Sequence, residues 1–222
     1  MVSNITQIYN ILHQYLYLLP EKCIYYEDKR MLIVADLHFG KVGHFRKNGI
    51  AMPASVQFKD LDTLSLLIEK YKIEQVLILG DCFHSDYNSD WHYFEAWLAI
   101  HKKVKFTLVL GNHDVYSVNF VPAAIVCVNE PFEMPPFLFS HFPIDSDKIN
   151  DNQYNLCGHL HPAVTLTGKG RQKMRLPCFY FQKKIGVLPA FGTFTGMTEV
   201  AVKAGEQIFV VAGTKVIPIS TL

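Results

Sequence analysis

Three short apolar runs, each cut off at a glycine or an aspartate, constrain this chain more than any other feature. Met31–Ala35 stops at Asp36, Gln75–Leu79 at Gly80-Asp81, and Phe106–Leu110 at Gly111-Asn112. Runs that are apolar at successive rather than alternate positions suit strands covered on both faces. Helical patterns separate them. Phe58, Leu61, Leu64, Leu67 and Ile68 recur at helical intervals between Ser55 and Tyr71, after Asn48-Gly49 and Pro53. Phe94, Trp97 and Leu98 repeat that rhythm between Trp91 and Ile100. Strand–helix–strand alternation predicts a largely parallel sheet whose ligands gather at the carboxyl ends of the strands.

Beyond about residue 120 the texture changes. Ala123–Val128, Pro136–Ser140 and Gln153–Cys157 read as further short strands. From Ala163 onward closely spaced strands with glycine turns predict mixed or antiparallel pairing. Tyr15–Leu19 either ends a helix or forms an edge strand. No repeat, low-complexity tract or linker divides the chain. The expectation is one domain over residues 1–222, of α/β class, with two packed mixed β-sheets flanked by helices.

Composition narrows the functional classes. Half of the 222 residues are hydrophobic and 13% are aromatic, which excludes a disordered chain. No uninterrupted apolar run approaches the ~18 residues of a membrane helix, so no membrane partner is expected. Lys and Arg nearly cancel Asp and Glu, at a net charge of +1, so a nucleic-acid partner would need a local basic patch. Five widely spaced cysteines without a C-x-x-C pair fit reduced thiols. The N-terminus has no basic stretch followed by a cleavage site. Together these predict a cytoplasmic protein.

Ten histidines are the unusual count, and their positions matter more than their number. Five segments carry metal-ligand side chains: Asp36-Leu-His38, Gly80-Asp81-Cys-Phe-His84, Gly111-Asn112-His113-Asp114, Ser140-His141 and Gly158-His159-Leu-His161. Each follows a predicted strand. Any one of them would be an ordinary polar strand end. Five in succession would bury a costly set of polar groups unless a cation satisfied them. In extended backbone Asp36 and His38, and likewise His159 and His161, would point to one side. Glycines at 80, 111 and 158 would let the chain turn away there. Carboxylate, imidazole and carboxamide donors without thiolate suit Mn²⁺, Fe or Zn²⁺.

As a set, Asp-x-His, Gly-Asp-x-x-His, Gly-Asn-His-Asp, a lone His and Gly-His-x-His resemble the calcineurin-like metallophosphoesterase superfamily over roughly residues 31–162. A narrower likeness adds Ala35–Ile50, Gly80–Ser85 and Leu188–Gly196, which are similar to the bacterial ligase-associated DNA-repair phosphoesterases (the PdeM group). The resemblance implies a calcineurin-like sandwich and two divalent cations, Mn²⁺ foremost. It places one cation on Asp36, His38 and His161, and the other on Asn112, His141 and His159, with Asp81 bridging. It leaves His113 off the metals as general acid, oriented by Asp114. Two cations about 3.5–4 Å apart can hold a bridging hydroxide and clamp phosphate oxygens for in-line hydrolysis. The implied activity is a phosphodiesterase, foremost a DNA endonuclease in repair, with ligase or helicase partners implied by resemblance only.

Substrate contacts are expected after the first motif, where Lys41, His44, Arg46 and Lys47 crowd one loop. Cations at such a position would hold a nucleic-acid backbone without reading sequence. His84 either meets substrate or buttresses His113. In Arg171–Arg175 the basic residues alternate and would share one strand face, as a groove wall or as protection of a sheet edge. Tyr87, Trp91 and Tyr93 could stack on bases, although Trp91 equally fits a helix core. A hydrolase of small phosphates stays open, as does a non-catalytic docking subunit; a lipid-pyrophosphate hydrolase lacks the amphipathic helix it would need. The oligomeric state is open.

Overall fold

The computed structural model describes residues 6–41, 55–83, 90–112, 114, 120–168, 170–201 and 203–219. It is built of two mixed β-sheets with helices on one outer face. The first sheet has seven strands in chain order: β1 (Gln7–Ile11), β2 (Gln14–Leu19), β3 (Cys23–Tyr26), β4 (Met31–Val34), β5 (Gln75–Leu79), β6 (Lys105–Val109) and β7 (Ile125–Val128). β1 to β4 are antiparallel neighbours, and β4 to β7 are parallel. The parallel half takes its crossovers through α1 (Ser55–Tyr71) and α2 (Asp90–Ile100), both close to their sequence limits.

Successive apolar residues are used on opposite faces. Leu32, Val34, Val76, Ile78, Phe106 and Leu108 pack toward the helices, against Leu61, Leu64, Leu67 and Ile68 of α1 and Phe94, Trp97 and Leu98 of α2. Ile33, Ala35, Leu77, Leu79 and Val109 turn the other way, onto the second sheet. Trp91 is fully buried and stacks on Phe83 at 3.9 Å between centroids, so it belongs to the core rather than to a base-stacking surface. Such a stack adds about 0.5–1.5 kcal/mol beyond area burial. Tyr93 is exposed.

The second sheet contains β8 (Phe132–Met134), β9 (Phe137–Ser140), β10 (Tyr154–Cys157), β11 (Pro162–Thr167), β12 (Lys173–Phe181), β13 (Ile185–Val187), β14 (Thr198–Glu199), β15 (Gln207–Ala212) and β16 (Lys215–Ile219). Its main path runs β14-β11-β12-β13-β10-β9-β8, with β15 pairing β12 and β16 pairing β15. β9, β10 and β13 are mutually parallel, while the β11–β12 and β15–β16 hairpins are antiparallel. Phe137, Phe139, Leu156, Phe179 and Phe181 from this sheet meet the first across the central core.

Three sequence expectations change. Tyr15–Leu19 lies within β2, an inner strand with β1 outside it. The Arg171–Arg175 face is shorter than its alternation suggests, because Arg171 sits in a turn at φ +60° and β12 starts at Lys173. Lys173 and Arg175 remain exposed opposite Thr167 and Thr165. The extended backbone expected for the two ligand pairs is also absent, as described below. All five cysteines are free, and no helix among the described residues is long and apolar enough to cross a membrane.

Candidate metal centre

Every ligand-bearing segment leaves the carboxyl end of a parallel strand: β4, β5 and β6 of the first sheet, β9 and β10 of the second. The β4–β5 pairing continues past the strands, with Asp36 N–H bonded to the Gly80 carbonyl, His38 to Asp81 and Phe39 to Cys82. This zipper sets the first two motifs side by side. The second sheet reaches them through Gly158, where a Cβ would lie 2.6 Å from Asp36 Oδ2. At Gly80, with φ +74°, a Cβ would stand 2.2 Å from His141 Nδ1. At Gly111 it would meet the Asp81 backbone N and Oδ1, each at 2.5 Å. The glycines thus admit ligands to close contact, and Gly80 also supplies a left-handed turn.

Two clusters result. One ligand atom each from Asp36, His38 and His161 lie within 4.8 Å of one another, and so do those of Asp81, His141 and His159. In the first cluster Asp36 Oδ1 and His161 Nε2 are buried without a hydrogen-bond partner, 3.3 Å apart. His161 Nδ1–H donates to the Gly196 carbonyl at 3.1 Å, which leaves the Nε2 lone pair facing the carboxylate. In the second, His141 Nδ1–H donates to the Leu79 carbonyl at 3.1 Å. In the neutral ring that leaves a lone pair on Nε2, which faces Asn112 Oδ1 at 3.0 Å, His159 Nδ1 at 3.1 Å and Asp81 Oδ2 at 3.4 Å. Electron-pair donors at such separations repel unless a cation lies among them, so this donor set fits divalent metal. Burial lowers the His159 pKa, which favours the neutral, ligating form of the imidazole. Asp81 Oδ2 is also 3.9 Å from His38 Nε2, so one carboxylate adjoins both clusters.

The backbone at the candidate ligands is strained. Asp36, His38, Asp81, His159 and His161 have φ between +47° and +67°, values that cost non-glycine residues of order 1–3 kcal/mol each. Asp36 with His38, and His159 with His161, still converge, but through left-handed turns beyond Val34 and Cys157 rather than through alternation along a strand.

Two supports, Glu130 and Asn155, have no counterpart in the motifs. Glu130 Oε2 accepts the main-chain N–H groups of His141 and Phe142 at 2.6 and 3.2 Å. The fully buried Asn155 donates to the Leu138 carbonyl and to Ser140 Oγ, and accepts the Ile144 N–H. Its sequence signal was a polar residue inside an otherwise apolar strand; Glu130 offered none. Phe191 and Gly192 donate N–H bonds to the Ala35 and Asp36 carbonyls, and Thr193 binds Asp60 through its N–H and hydroxyl. Asp114 is fully buried and accepts the Gly111 and Phe83 N–H groups at 2.9 and 3.3 Å. Burial raises its carboxyl pKa to about 6 despite those bonds. Lys41 is half-buried in a narrow recess with His38, Phe39 and Phe194, and burial lowers its pKa. His44, Arg46, Lys47, His84, Tyr87 and His113 lie outside the described residues.

The calcineurin-like phosphoesterase family model matches residues 29–189, the stretch that carries all five motifs. The chain belongs to the calcineurin-like phosphoesterase family. The crystal structure of the Pseudomonas putida nuclease MPE is similar to this phosphoesterase at a TM-score of 0.80 and 31% identity, over 96% of this chain and 100% of that one. The structure of Yfce, a phosphoesterase from E. coli, is similar at 12% identity and a TM-score of 0.44, over 82% of this chain and 88% of that one. No curated protein matches the chain. The two-sheet sandwich is that of the family, and the protein is a phosphoesterase-type hydrolase with two candidate metal clusters.

Proposed function

We propose that this phosphoesterase hydrolyses phosphodiester bonds in DNA as an endonuclease of DNA repair, with two divalent cations, foremost Mn²⁺. The observation that carries the reading is the pair of three-residue clusters adjoined by the Asp81 carboxylate. Asp36, His38 and His161 would hold one cation and Asn112, His141 and His159 the other, with Asp81 bridging. When bound, the two cations supply Lewis acidity for the phosphate oxygens and acidify an attacking water. The protein's own part is positional. The Leu79 and Gly196 carbonyls fix the His141 and His161 tautomers, and the Asp36–His159 contact holds the first and last motifs together.

His113 is assigned the general-acid role, protonating the leaving oxygen, with Asp114 orienting it. Lys41, His44, Arg46 and His84 are assigned to the substrate, whose phosphates they would hold. Support for a nucleic-acid substrate over a small phosphate comes from the 31% identity to a protein described as a nuclease. A cytoplasmic location is read from the five widely spaced cysteines, and work beside a ligase or helicase from the narrower family likeness alone.

The test is Mn²⁺-dependent cleavage of end-labelled single-stranded and closed-circular DNA, with His113→Ala alongside. Internal cuts that vanish in a variant still retaining metal are the expected result. Intact DNA, with a small phosphodiester hydrolysed instead, would replace the repair reading by a small-molecule one. Unchanged kcat in His113→Ala would remove the general-acid assignment.

A further inference from the structure

A recess of about 330 Å³ opens beside His161, and it is lined by Lys22, His161, Pro162, Pro177, Thr195 and Met197 among others. Three separate pieces of chain build it: the β2–β3 turn, the β11–β12 hairpin and the loop after β13. Lys22 and the loop beyond residue 189 fall outside the stretch that the family model matches. The walls are chiefly apolar, as in sites that take a flat or ring-shaped group, and the size suits one small organic unit.

Lys22 gives the recess its charge. The residue sits in the β2–β3 turn at φ +64°, and its Nζ donates to the Phe191 carbonyl at 2.6 Å and to the Gly192 carbonyl at 3.4 Å. Among the described residues no carboxylate lies within ion-pair distance of that ammonium. Its two hydrogen bonds go to neutral acceptors; burial lowers its pKa, and the charge of Asp60, beyond ion-pair distance, opposes that shift. Such a group favours an anion that arrives with the ligand.

We infer that this recess is the subsite for the nucleotide next to the scissile phosphodiester, with Pro162, Pro177 and Met197 flanking its sugar and base and the Lys22 ammonium meeting its own phosphate. The inference rests on the nucleic-acid reading above and adds to it a second point of phosphate recognition. A small diester without a neighbouring phosphate would leave the Lys22 ammonium unused, so the two substrate kinds separate its contribution from that of the metal ligands.

The experiment compares wild type, Lys22→Met, Lys22→Arg and Met197→Trp on an end-labelled oligonucleotide and on bis(4-nitrophenyl) phosphate, with Mn²⁺. In Lys22→Met the KM for the oligonucleotide should rise about tenfold more than the KM for the small diester, the loss of one charge-assisted hydrogen bond. Its salt dependence on the oligonucleotide should flatten, and Lys22→Arg should recover most of the binding. Met197→Trp narrows the recess from a partly exposed rim position and should raise the oligonucleotide KM selectively, whether or not Lys22→Met folds well. Equal losses on both substrates would reduce Lys22 to a tie for the 191–192 loop and overturn the subsite. Oligonucleotide KM values unchanged in all three variants would overturn it as well. A wild-type enzyme that hydrolyses the small diester but no oligonucleotide would instead overturn the nucleic-acid reading and the subsite together.

Discussion

The Asp36 carboxylate accepts the His159 main-chain N–H through Oδ2 at 2.9 Å, across 123 positions of sequence. One oxygen therefore joins the first motif to the last, and the other, Oδ1, is left buried without a hydrogen bond beside His161 Nε2. A carboxylate divided in this way couples the docking of the two sheets to the shape of the first cluster.

Asp36→Asn separates those two roles. The amide oxygen can still accept the His159 N–H, while the negative charge is lost. The expected result is a fold retained by circular dichroism, Mn²⁺ stoichiometry reduced from two to one, and kcat lowered at least about a hundredfold, since Lewis-acid stabilisation is worth several kcal/mol. Two tightly bound ions in the variant would contradict the assignment of Asp36.

Gly80→Ala should damage the second cluster through sterics alone. The added Cβ would stand 2.2 Å from the His141 ring, on a backbone at φ +74°. Overpacking and left-handed strain together predict a loss of about 2–4 kcal/mol. Gly205→Ala is the control: its φ is +85°, yet nothing lies within 4 Å of the new Cβ, so only strain of about 1–2 kcal/mol is expected. Equal shifts in urea midpoint for the two variants would rule out the His141 contact as the cause.

Removing divalent metal should destabilise the protein. Asp36 Oδ1 and His161 Nε2 lack other hydrogen-bond partners, and His141 Nε2 and the three donor atoms about it repel one another without a cation. Mn²⁺ at one hundred times its Kd should raise unfolding free energy by about 2.7 kcal/mol per site. Calorimetry with and without chelator measures this directly, and an unfolding temperature indifferent to Mn²⁺ would count against both clusters.

A pH effect is expected away from the metal centre. Trp97 Nε1–H donates to Ser65 Oγ at 2.8 Å, and His101 Nε2 lies 2.9 Å from the same oxygen. Burial lowers the His101 pKa, with Glu69 opposing it. The unfolded chain then takes up a proton before the folded one does. Stability should fall as pH drops through about 6.5 and level off below the folded pKa. Unfolding followed by tryptophan fluorescence should show this slope, and His101→Gln should flatten it.

Much of the fold was legible because its signals are local. The apolar runs became β4, β5 and β6 almost residue for residue, and Ser55–Tyr71 became α1, since the same apolar periodicity that identifies an element also buries it. Tyr15–Leu19 was ambiguous because a short Tyr-Leu-Tyr-Leu-Leu run with no polar position suits either period; pairing with β1 and β3 decided the matter. Trp91 was ambiguous for a similar reason, and the ring of Phe83 settled it.

For the site, sequence by itself determined which side chains could ligate, because donor chemistry is a property of residue type, and Asp36, His38, Asp81, Asn112, His141, His159 and His161 could be named from five strand ends. Tertiary structure decided how they meet. The Gly196 and Leu79 carbonyls that fix two imidazole tautomers are main-chain groups, which every residue carries alike. Glu130 under His141, and Lys22 beside the 191–192 loop, act across separations that no local pattern encodes. The left-handed backbone at five candidate ligands is likewise unfavourable for each residue alone, and it persists only where packing on both sides leaves the chain no other path.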